Sequence, residues 1–398
     1  MEKLAINGGT PVRTEKISYG KQWIDQADID AVVETLKSDF LTCGPKITEM
    51  EEALCSYTGA KYAVAISNGT AALHVACMAA GIGEGDEVIT TPITFAASAN
   101  CALYCGATPV FADINPKTYN IDPNSIRELI TEKTKAVVAV DFTGQVVEMD
   151  EIRRICDEHD LVLIEDAAHS LGSKYKGKQV GSLADITCMS FHPVKTITGG
   201  EGGAVLTNNE EYYNQLVLSR AHGITRNVEL MSEVPEGPWY YEEVALGYNY
   251  RITDIQASLI CSQMKKLDSF VARRKEIVDA YNKAFAEVPE IIVQEEIAES
   301  DTCRHLYIIQ LDLEKLSCTR REFFDALCAE NVQPQIHYIP VYWFPHYQSL
   351  GYKKGLCPNA EKLYGRIMSI PLYPKMNDKD VEDVICAVKK VVENYRKN

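Results

Sequence analysis

Three segments of the sequence carry side chains that could do chemistry, and each follows an apolar run. In the first, SNGTAALHVA (67–76), small residues and hydroxyl groups open a helical pattern. The free backbone N–H groups at such a helix start can bind a phosphate. Ordinary capping of the helix by Ser67, Asn68 or Thr70 explains the same residues equally well.

The second segment, LVLIEDAAHS (161–170), places Glu165 and Asp166 at the end of a buried strand. In an open α/β sheet, ligands bind at the carboxyl ends of the strands, and a carboxylate buried there is costly unless it meets a cation. The alternative is that Asp166 caps a following helix.

The third segment is SFHPVKTITGGEGGAV (190–205), in which Lys195 stands between a strand-like run and four glycines. Burial lowers the pKa of a lysine and makes its amine a nucleophile, and the glycines allow a tight turn behind it. A surface lysine in a hairpin is the alternative. Together, the three segments match the phosphate, the basic ring nitrogen and the aldehyde of pyridoxal phosphate (PLP).

The elements that position these segments are seven short apolar runs separated by helical patterns. Runs that are apolar on both faces are typical of central strands covered by helices, and the alternation predicts an α/β fold with a largely parallel sheet. The runs are KYAVAI (61–66), EVIT (87–90), PVFA (109–112), AVVAV (136–140), LVLIE (161–165), DITCMS (185–190) and GAVLTN (203–208). The last two runs are joined through Lys195 and the glycines, so a mixed sheet is an alternative to a fully parallel one.

The pattern of predicted helices and strands changes after about residue 255. Helices are predicted at 70–80, 122–131 and 149–159, and a long helical pattern then runs from 254 to 285. Strands and helices beyond it are fewer and shorter. We therefore expect a large PLP-binding domain over residues 15–253 and a smaller α+β domain over residues 254–398, linked by the long helix.

Composition excludes several classes of protein. The net charge of −16 argues against binding to nucleic acid or to an anionic membrane, since both need a basic face. Thirteen cysteines without C-x-x-C or Cys/His spacing indicate a reduced cytosolic pool, with no metal and a cytoplasmic location. The uncharged stretch between Glu87 and Asp113 is long enough for a membrane span, but its Pro, Asn and Gly residues favour a buried strand–helix–strand unit.

Four motifs, SNGTAAL, IEDAAHSLGS, SFHPVKTITGGEGGAV and GYNYRITDIQAS, resemble in this order those of the DegT/DnrJ/EryC family of sugar aminotransferases. The resemblance extends from DFLTCGPKITEMEEAL to YGRIMSIPLYPKMND. It implies a fold-type-I (aspartate-aminotransferase-like) PLP enzyme with a mostly parallel seven-stranded sheet. Within the family, HPVKTIT, RAHGIT and HYIPVY resemble the transaminases of the pseudaminic-acid pathway, whereas LAINGGTPVR resembles other members.

The resemblance also implies a role for each site residue. Lys195 bonds to the cofactor aldehyde and then moves a proton, while Asp166 pairs with the ring nitrogen. The other residues that are implied to bind the cofactor are Gly69, Thr70 and Ser190 at the phosphate, Phe95 on the ring face, His169 at the ring hydroxyl, and Asn249 from a partner subunit. His337 and Tyr338 are implied on the side of the sugar nucleotide.

The activity that follows from the resemblance is a ping-pong transfer of an amino group from glutamate to a nucleotide-linked keto-deoxy sugar. The acceptor position is C4 of a UDP-4-keto-6-deoxy-N-acetylhexosamine, and the enzyme is a homodimer with shared active sites. Another UDP- or dTDP-keto sugar, aminated at C3 or C4, fits the motifs as well. A PLP-dependent sugar dehydratase and a binding protein on the same fold are further alternatives, although the latter would be expected to lose Lys195 or Asp166.

Overall fold

The structure is a computed structural model that describes residues 2–397. Over this range the chain forms thirteen α-helices and seventeen β-strands. The helices are α1 (Gln26–Lys37), α2 (Pro45–Thr58), α3 (Gly69–Ala79), α4 (Ala97–Tyr104), α5 (Pro123–Leu129), α6 (Met149–Glu158), α7 (Glu210–Arg220), α8 (Asp254–Met264), α9 (Leu267–Phe285), α10 (Arg320–Ala329), α11 (Pro345–Ser349), α12 (Pro358–Tyr364) and α13 (Asp378–Tyr395). The strands are β1 (Ile17–Ser18), β2 (Tyr62–Ile66), β3 (Glu87–Thr90), β4 (Thr108–Phe111), β5 (Thr134–Val140), β6 (Val162–Asp166), β7 (Lys174–Tyr175), β8 (Lys178–Gln179), β9 (Ile186–Ser190), β10 (Gly203–Thr207), β11 (Ile224–Thr225), β12 (Glu242–Glu243), β13 (Ile291–Val293), β14 (Ser300–Asp301), β15 (Tyr307–Leu311), β16 (Val332–Gln333) and β17 (Ile367–Ile370).

The central element is a seven-stranded sheet with the strand order β2-β10-β9-β6-β5-β3-β4. Strands β4, β3, β5, β6 and β9 run parallel, while β10 is antiparallel to both β9 and β2. The seven predicted strands are these seven, with bounds that differ by at most two residues. The prediction of a mostly parallel seven-stranded sheet is therefore confirmed, and the sheet is mixed because the lysine and glycine loop returns β10 antiparallel to β9.

Burial on both faces explains why these runs form central strands. Along β5, Val137 and Ala139 belong to a core cluster on one face of the sheet, whereas Ala136 and Val138 belong to the cluster on the other face. Successive side chains of a strand point to opposite faces, so a run that is covered by helices on both sides has to be apolar throughout.

The uncharged stretch between Glu87 and Asp113 folds as β3, α4 and β4, the strand–helix–strand unit that was predicted. Within residues 2–397, no helix combines the length and the apolar character that crossing a membrane requires.

The C-terminal part is built around the antiparallel sheet β13-β15-β17, with a core of its own that includes residues of α9, α10 and α13. The N-terminal segment packs here too, because β1 pairs in parallel with β16 and Leu4 belongs to this core. The division into domains at residue 254 stays a prediction.

The helical stretch predicted over 254–285 consists of two helices, α8 and α9, separated by Lys265 and Lys266. Lys266 lies at this interruption. Its Nζ forms ion pairs with Asp25 at 2.9 Å and with Asp28 at 2.5 Å, which tie this point of the chain to the start of α1.

Candidate active site

The candidate site is a cavity of about 940 Å³ at the carboxyl ends of the parallel strands β6 and β9. Asp166 ends β6, Ser190 ends β9, and Gly69 begins α3 just after β2. Nine of the ten predicted site residues line it, and they are Gly69, Thr70, Phe95, Asp166, His169, Ser190, Lys195, His337 and Tyr338. The tenth, Asn249, is exposed and lies outside the lining.

The start of α3 touches the end of β9. The side-chain oxygen of Asn68 accepts a hydrogen bond from the backbone N–H of Ala71 at 2.9 Å, so the capping alternative is correct for Asn68. A Cβ atom built on Gly69 would lie only 2.8 Å from the Cβ of Ser190. The first helical turn is thus held directly against Ser190, and capping by Asn68 is compatible with an anion at the remaining N–H groups.

Asp166 is a buried carboxylate with two internal donors. Its Oδ2 accepts a hydrogen bond from Ser98 Oγ at 2.6 Å, and its Oδ1 accepts one from the backbone N–H of Ala168 at 3.1 Å. Burial raises its pKa, while the bonds from Ser98 and Ala168 and the charge of Lys195 oppose that rise. The alternative that Asp166 caps a following helix is wrong, because residues 168–172 form turns.

Lys195 lies in the loop between β9 and β10. Its backbone N–H donates to the carbonyl of His192 at 3.0 Å, and Gly199 N–H donates to the carbonyl of Phe191 at 3.0 Å. Burial lowers the pKa of Lys195 to about 8, against the charge of Asp166, which raises it. Lys195 is half-buried and lines the cavity, so the alternative of a surface hairpin lysine is wrong, and part of the amine is neutral and nucleophilic near neutral pH.

Histidines and a tyrosine form one wall of the cavity. His169 Nε2 lies 3.3 Å from the hydroxyl of Tyr338, and His337 Nδ1 lies 2.8 Å from Ser369 Oγ. Burial, followed by the charge of Lys195, lowers the pKa of His169 well below its usual value and that of His337 to about 4. Both imidazoles are consequently neutral near pH 7, and each can donate one hydrogen bond and accept another.

His305 belongs to the same wall and was missed by sequence reasoning. It lines the cavity, and its ring centroid lies 4.5 Å from that of His169. Its backbone carbonyl accepts a hydrogen bond from the buried guanidinium of Arg274 at 3.3 Å. The sequence signal is weak: CRHLYIIQLDL places polar residues before an apolar strand, but nothing local brings His305 next to His169.

The residues of the cavity fit PLP. Asp166 matches a basic ring nitrogen, Lys195 matches an aldehyde, and the start of α3 matches a phosphate. Phe95 is 62% exposed although it is apolar, and it lines the cavity, where an aromatic face can stack on a ring. Over residues 2–397, the buried Nδ1 of His169 has no hydrogen-bond partner, which is the situation expected of a polar atom that awaits a ligand.

Comparison with known proteins decides the family. The model of the DegT/DnrJ/EryC1/StrS aminotransferase family matches residues 22–389. The chain belongs to this family. The spore coat polysaccharide biosynthesis protein SpsC of Bacillus subtilis is 42% identical over 96% of this chain and 98% of its own length. The UDP-4-amino-4,6-dideoxy-N-acetyl-beta-L-altrosamine transaminase of Campylobacter jejuni is 41% identical over 96% of this chain and 99% of its own.

Solved structures agree with this assignment. PseC of Helicobacter pylori, an aminotransferase involved in the biosynthesis of pseudoaminic acid, has a TM-score of 0.89 at 33% identity and covers 96% of this chain and 100% of its own. The PLP form of a candidate sugar aminotransferase of Streptococcus pneumoniae has a TM-score of 0.89 at 32% identity, with 95% and 99% covered. The predicted fold class and cofactor are confirmed: this family member is a PLP-dependent sugar aminotransferase.

Proposed function

We propose that this enzyme transfers the amino group of glutamate to C4 of a UDP-linked 4-keto-6-deoxy-N-acetylhexosamine. The observation that carries the amino-transfer part of the proposal is that Lys195 and Asp166 line one cavity together with the start of α3. The sugar is taken from the names of the UDP-4-amino-4,6-dideoxy-N-acetyl-beta-L-altrosamine transaminases of Campylobacter jejuni and Helicobacter pylori, which match this chain over nearly its whole length.

Lys195 and Asp166 divide the chemistry between them. Bound PLP supplies an aldehyde that bonds to amines and a ring that delocalises negative charge. Lys195 holds or releases a proton at Nζ, and a pKa of about 8 suits that exchange near neutral pH. Asp166 holds a proton on the ring nitrogen, and its burial makes that ion pair stronger than it would be in water.

Other residues of the cavity bind and orient. We assign Gly69, Thr70 and Ser190 to the phosphate, Phe95 to the ring face and His169 to the ring hydroxyl. His337 and Tyr338 are assigned to the sugar nucleotide, since they line the same cavity beside His169. Glutamate and the keto sugar use this cavity in turn, so we expect ping-pong kinetics.

A homodimer is part of the proposal. Asn249 is exposed and does not line the cavity of its own chain, which supports the role that the family resemblance implies, a contact with the cofactor of a partner subunit. We also propose a cytoplasmic location, which is supported by thirteen cysteines that all carry free thiols.

The test is spectroscopic and uses the purified PLP-loaded enzyme. Glutamate should change the visible absorbance of the bound cofactor, and a UDP-4-keto-6-deoxy-N-acetylhexosamine should restore it. Lys195→Ala should bind the cofactor but show no turnover, whereas Lys178→Ala, at an exposed lysine outside the cavity, should behave as the wild type.

Each other result identifies an alternative. Restoration only by a 3-keto sugar or by a dTDP-linked sugar would replace the proposed acceptor. Loss of water from the sugar without gain of nitrogen would indicate a dehydratase. If glutamate causes no spectral change and no keto sugar has an effect, the aminotransferase proposal fails.

A further inference from the structure

Two hydroxyl groups form a short hydrogen-bonded chain with the carboxylate of Asp166. Thr94 Oγ1 and Ser98 Oγ are 2.7 Å apart, and Ser98 Oγ donates to Asp166 Oδ2 at 2.6 Å. All three residues are buried. Thr94 directly precedes Phe95 and Ser98 follows it by three residues. One short segment therefore supplies both the aromatic side chain of the cavity and the hydroxyl group that donates to Asp166.

The direction of this chain of hydrogen bonds is fixed by counting protons. An ionised carboxylate only accepts hydrogen bonds, and a serine hydroxyl has a single proton to donate. When Asp166 is ionised, Ser98 uses that proton on its carboxylate, and the 2.7 Å bond between the two hydroxyls then has to be donated by Thr94. The carbonyl of Phe95 is a poorer acceptor for Ser98, at 3.3 Å. The order is therefore Thr94 to Ser98 to Asp166.

This arrangement acts on the charge and on the orientation of Asp166. The bond from Ser98 occupies Oδ2 and the N–H of Ala168 occupies Oδ1. With one hydrogen bond on each oxygen, the orientation of the carboxylate is restrained, and its remaining lone pairs can serve the cavity that it lines. Hydrogen bonds to an ionised group are also about twice as strong as neutral ones, so they favour the ionised form in a buried site.

We propose that Ser98, supported by Thr94, is a positioning residue that keeps Asp166 ionised and aimed at the ring nitrogen of PLP. The inference rests on the proposed role of Asp166 as the partner of that nitrogen. It predicts that the effect of Ser98 depends on the nitrogen and vanishes when the nitrogen is replaced.

The experiment measures the dissociation constants of two probes from apo-protein. One is PLP, and the other is its deaza analogue, in which a CH group replaces the ring nitrogen. We expect Ser98→Ala to weaken PLP binding about tenfold or more and to change binding of the analogue by less than about twofold, as a lost charge-assisted bond would. Ser170→Ala is the matched control, because its buried hydroxyl donates to the carboxylate of Asp141 at 2.6 Å outside the cavity.

Thr94 provides a pair of variants that preserve the fold. Thr94→Val keeps the shape and removes the hydroxyl, whereas Thr94→Ser keeps the hydroxyl. We expect Thr94→Val to weaken PLP binding severalfold and Thr94→Ser to leave the dissociation constant near the wild-type value. Thr94→Val added to Ser98→Ala should have no further effect, because Thr94 acts through Ser98.

Asp166→Ala distinguishes the proposed role of Asp166 from the proposed role of Ser98. If it weakens both probes equally, the proposed role of Asp166 is wrong. If it weakens PLP alone while Ser98→Ala and Thr94→Val do not, that role stands and the inference about Ser98 is overturned. The inference is also overturned if Ser170→Ala reproduces the selectivity of Ser98→Ala, since the effect would then come from the fold.

Discussion

Replacement of Lys195 by Met should make the apo-protein more stable at pH 7 while it abolishes amino transfer. Met is close to Lys in shape and carries no charge. The reason is the pKa of Lys195, which burial lowers from the ordinary 10.5 to about 8. At pH 7 the amine is mostly charged in both the folded and the unfolded chain, and the folded chain therefore bears most of the cost of holding that charge in a half-buried place.

The size of that cost follows from the pKa. At about 1.4 kcal/mol per pKa unit, a fall from 10.5 to about 8 is equivalent to about 3 kcal/mol in the free energy of unfolding. Two effects reduce it. Lys195 is partly exposed, so solvent screens some of the cost, and its removal leaves the buried carboxylate of Asp166 without a cation. We expect Lys195→Met to be about 1–3 kcal/mol more stable at pH 7.

The dependence on pH gives the decisive test. Between pH 8 and pH 10.5 the unfolded wild type binds a proton that the folded wild type has lost, so wild-type stability rises with pH across this window. The advantage of the variant should therefore shrink as pH rises and disappear near 10.5. Urea unfolding of both apo-proteins at equal concentration, at pH 7 and pH 10, measures the difference. A variant that is no more stable at pH 7, or whose advantage is the same at both values, would refute the reasoning.

Three further changes have defined outcomes. Gly69→Ala should raise the dissociation constant of PLP tenfold or more, since its Cβ would lie 2.8 Å from the side chain that ends β9, whereas Gly83→Ala meets open space and should bind normally in the same titration. Glu165→Gln should reduce, without abolishing, the fall in unfolding free energy that the wild type shows between pH 4.5 and pH 7 in urea titrations. Burial raises the pKa of Glu165 to about 7 and also raises that of its neighbour Asp141, so each keeps a proton in the folded chain that the unfolded chain loses. Arg274→Met should lower the unfolding free energy by about 2–3 kcal/mol, since three buried carbonyls that lie 3.1 or 3.3 Å from Nη1 lose their donor, and this loss exceeds the burial cost of the guanidinium that the change relieves. Exposed Lys275→Met should change it by less than about 0.5 kcal/mol.

Local sequence predicts the sheet well, for a physical reason. A strand buried on both faces needs an apolar residue at every position, and seven such runs stand out from their surroundings. The ends of β6 and β9 then place Asp166 and Ser190 at the same edge of the sheet, because parallel strands share their carboxyl edge. The inference that Asp166 and Lys195 bind one ligand follows from this shared edge and from the position of Lys195 shortly after β9.

Contacts between distant parts of the chain are what the sequence does not reveal. His305 precedes β15 in the C-terminal part, and its place beside His169 depends on how that part packs against the sheet. Ser98 is visible in the sequence only as a small polar residue next to Phe95, since its bond to Asp166 joins separate elements. The ion pairs of Lys266, between α8 and α9, with Asp25 and Asp28 at the start of α1 likewise join distant parts of the chain.

The charges of the cavity fit an acceptor rich in hydroxyl groups. Burial and the charge of Lys195 lower the pKa values of His169, His305 and His337, so this wall is neutral near pH 7. A neutral imidazole both donates and accepts a hydrogen bond, and so does a sugar hydroxyl, whereas a carboxylate only accepts. A wall of cations in the same place would compete with Lys195 for Asp166. The neutral wall therefore leaves Lys195 and Asp166 to act as a pair, and it can exchange hydrogen bonds with the hydroxyl groups of a sugar.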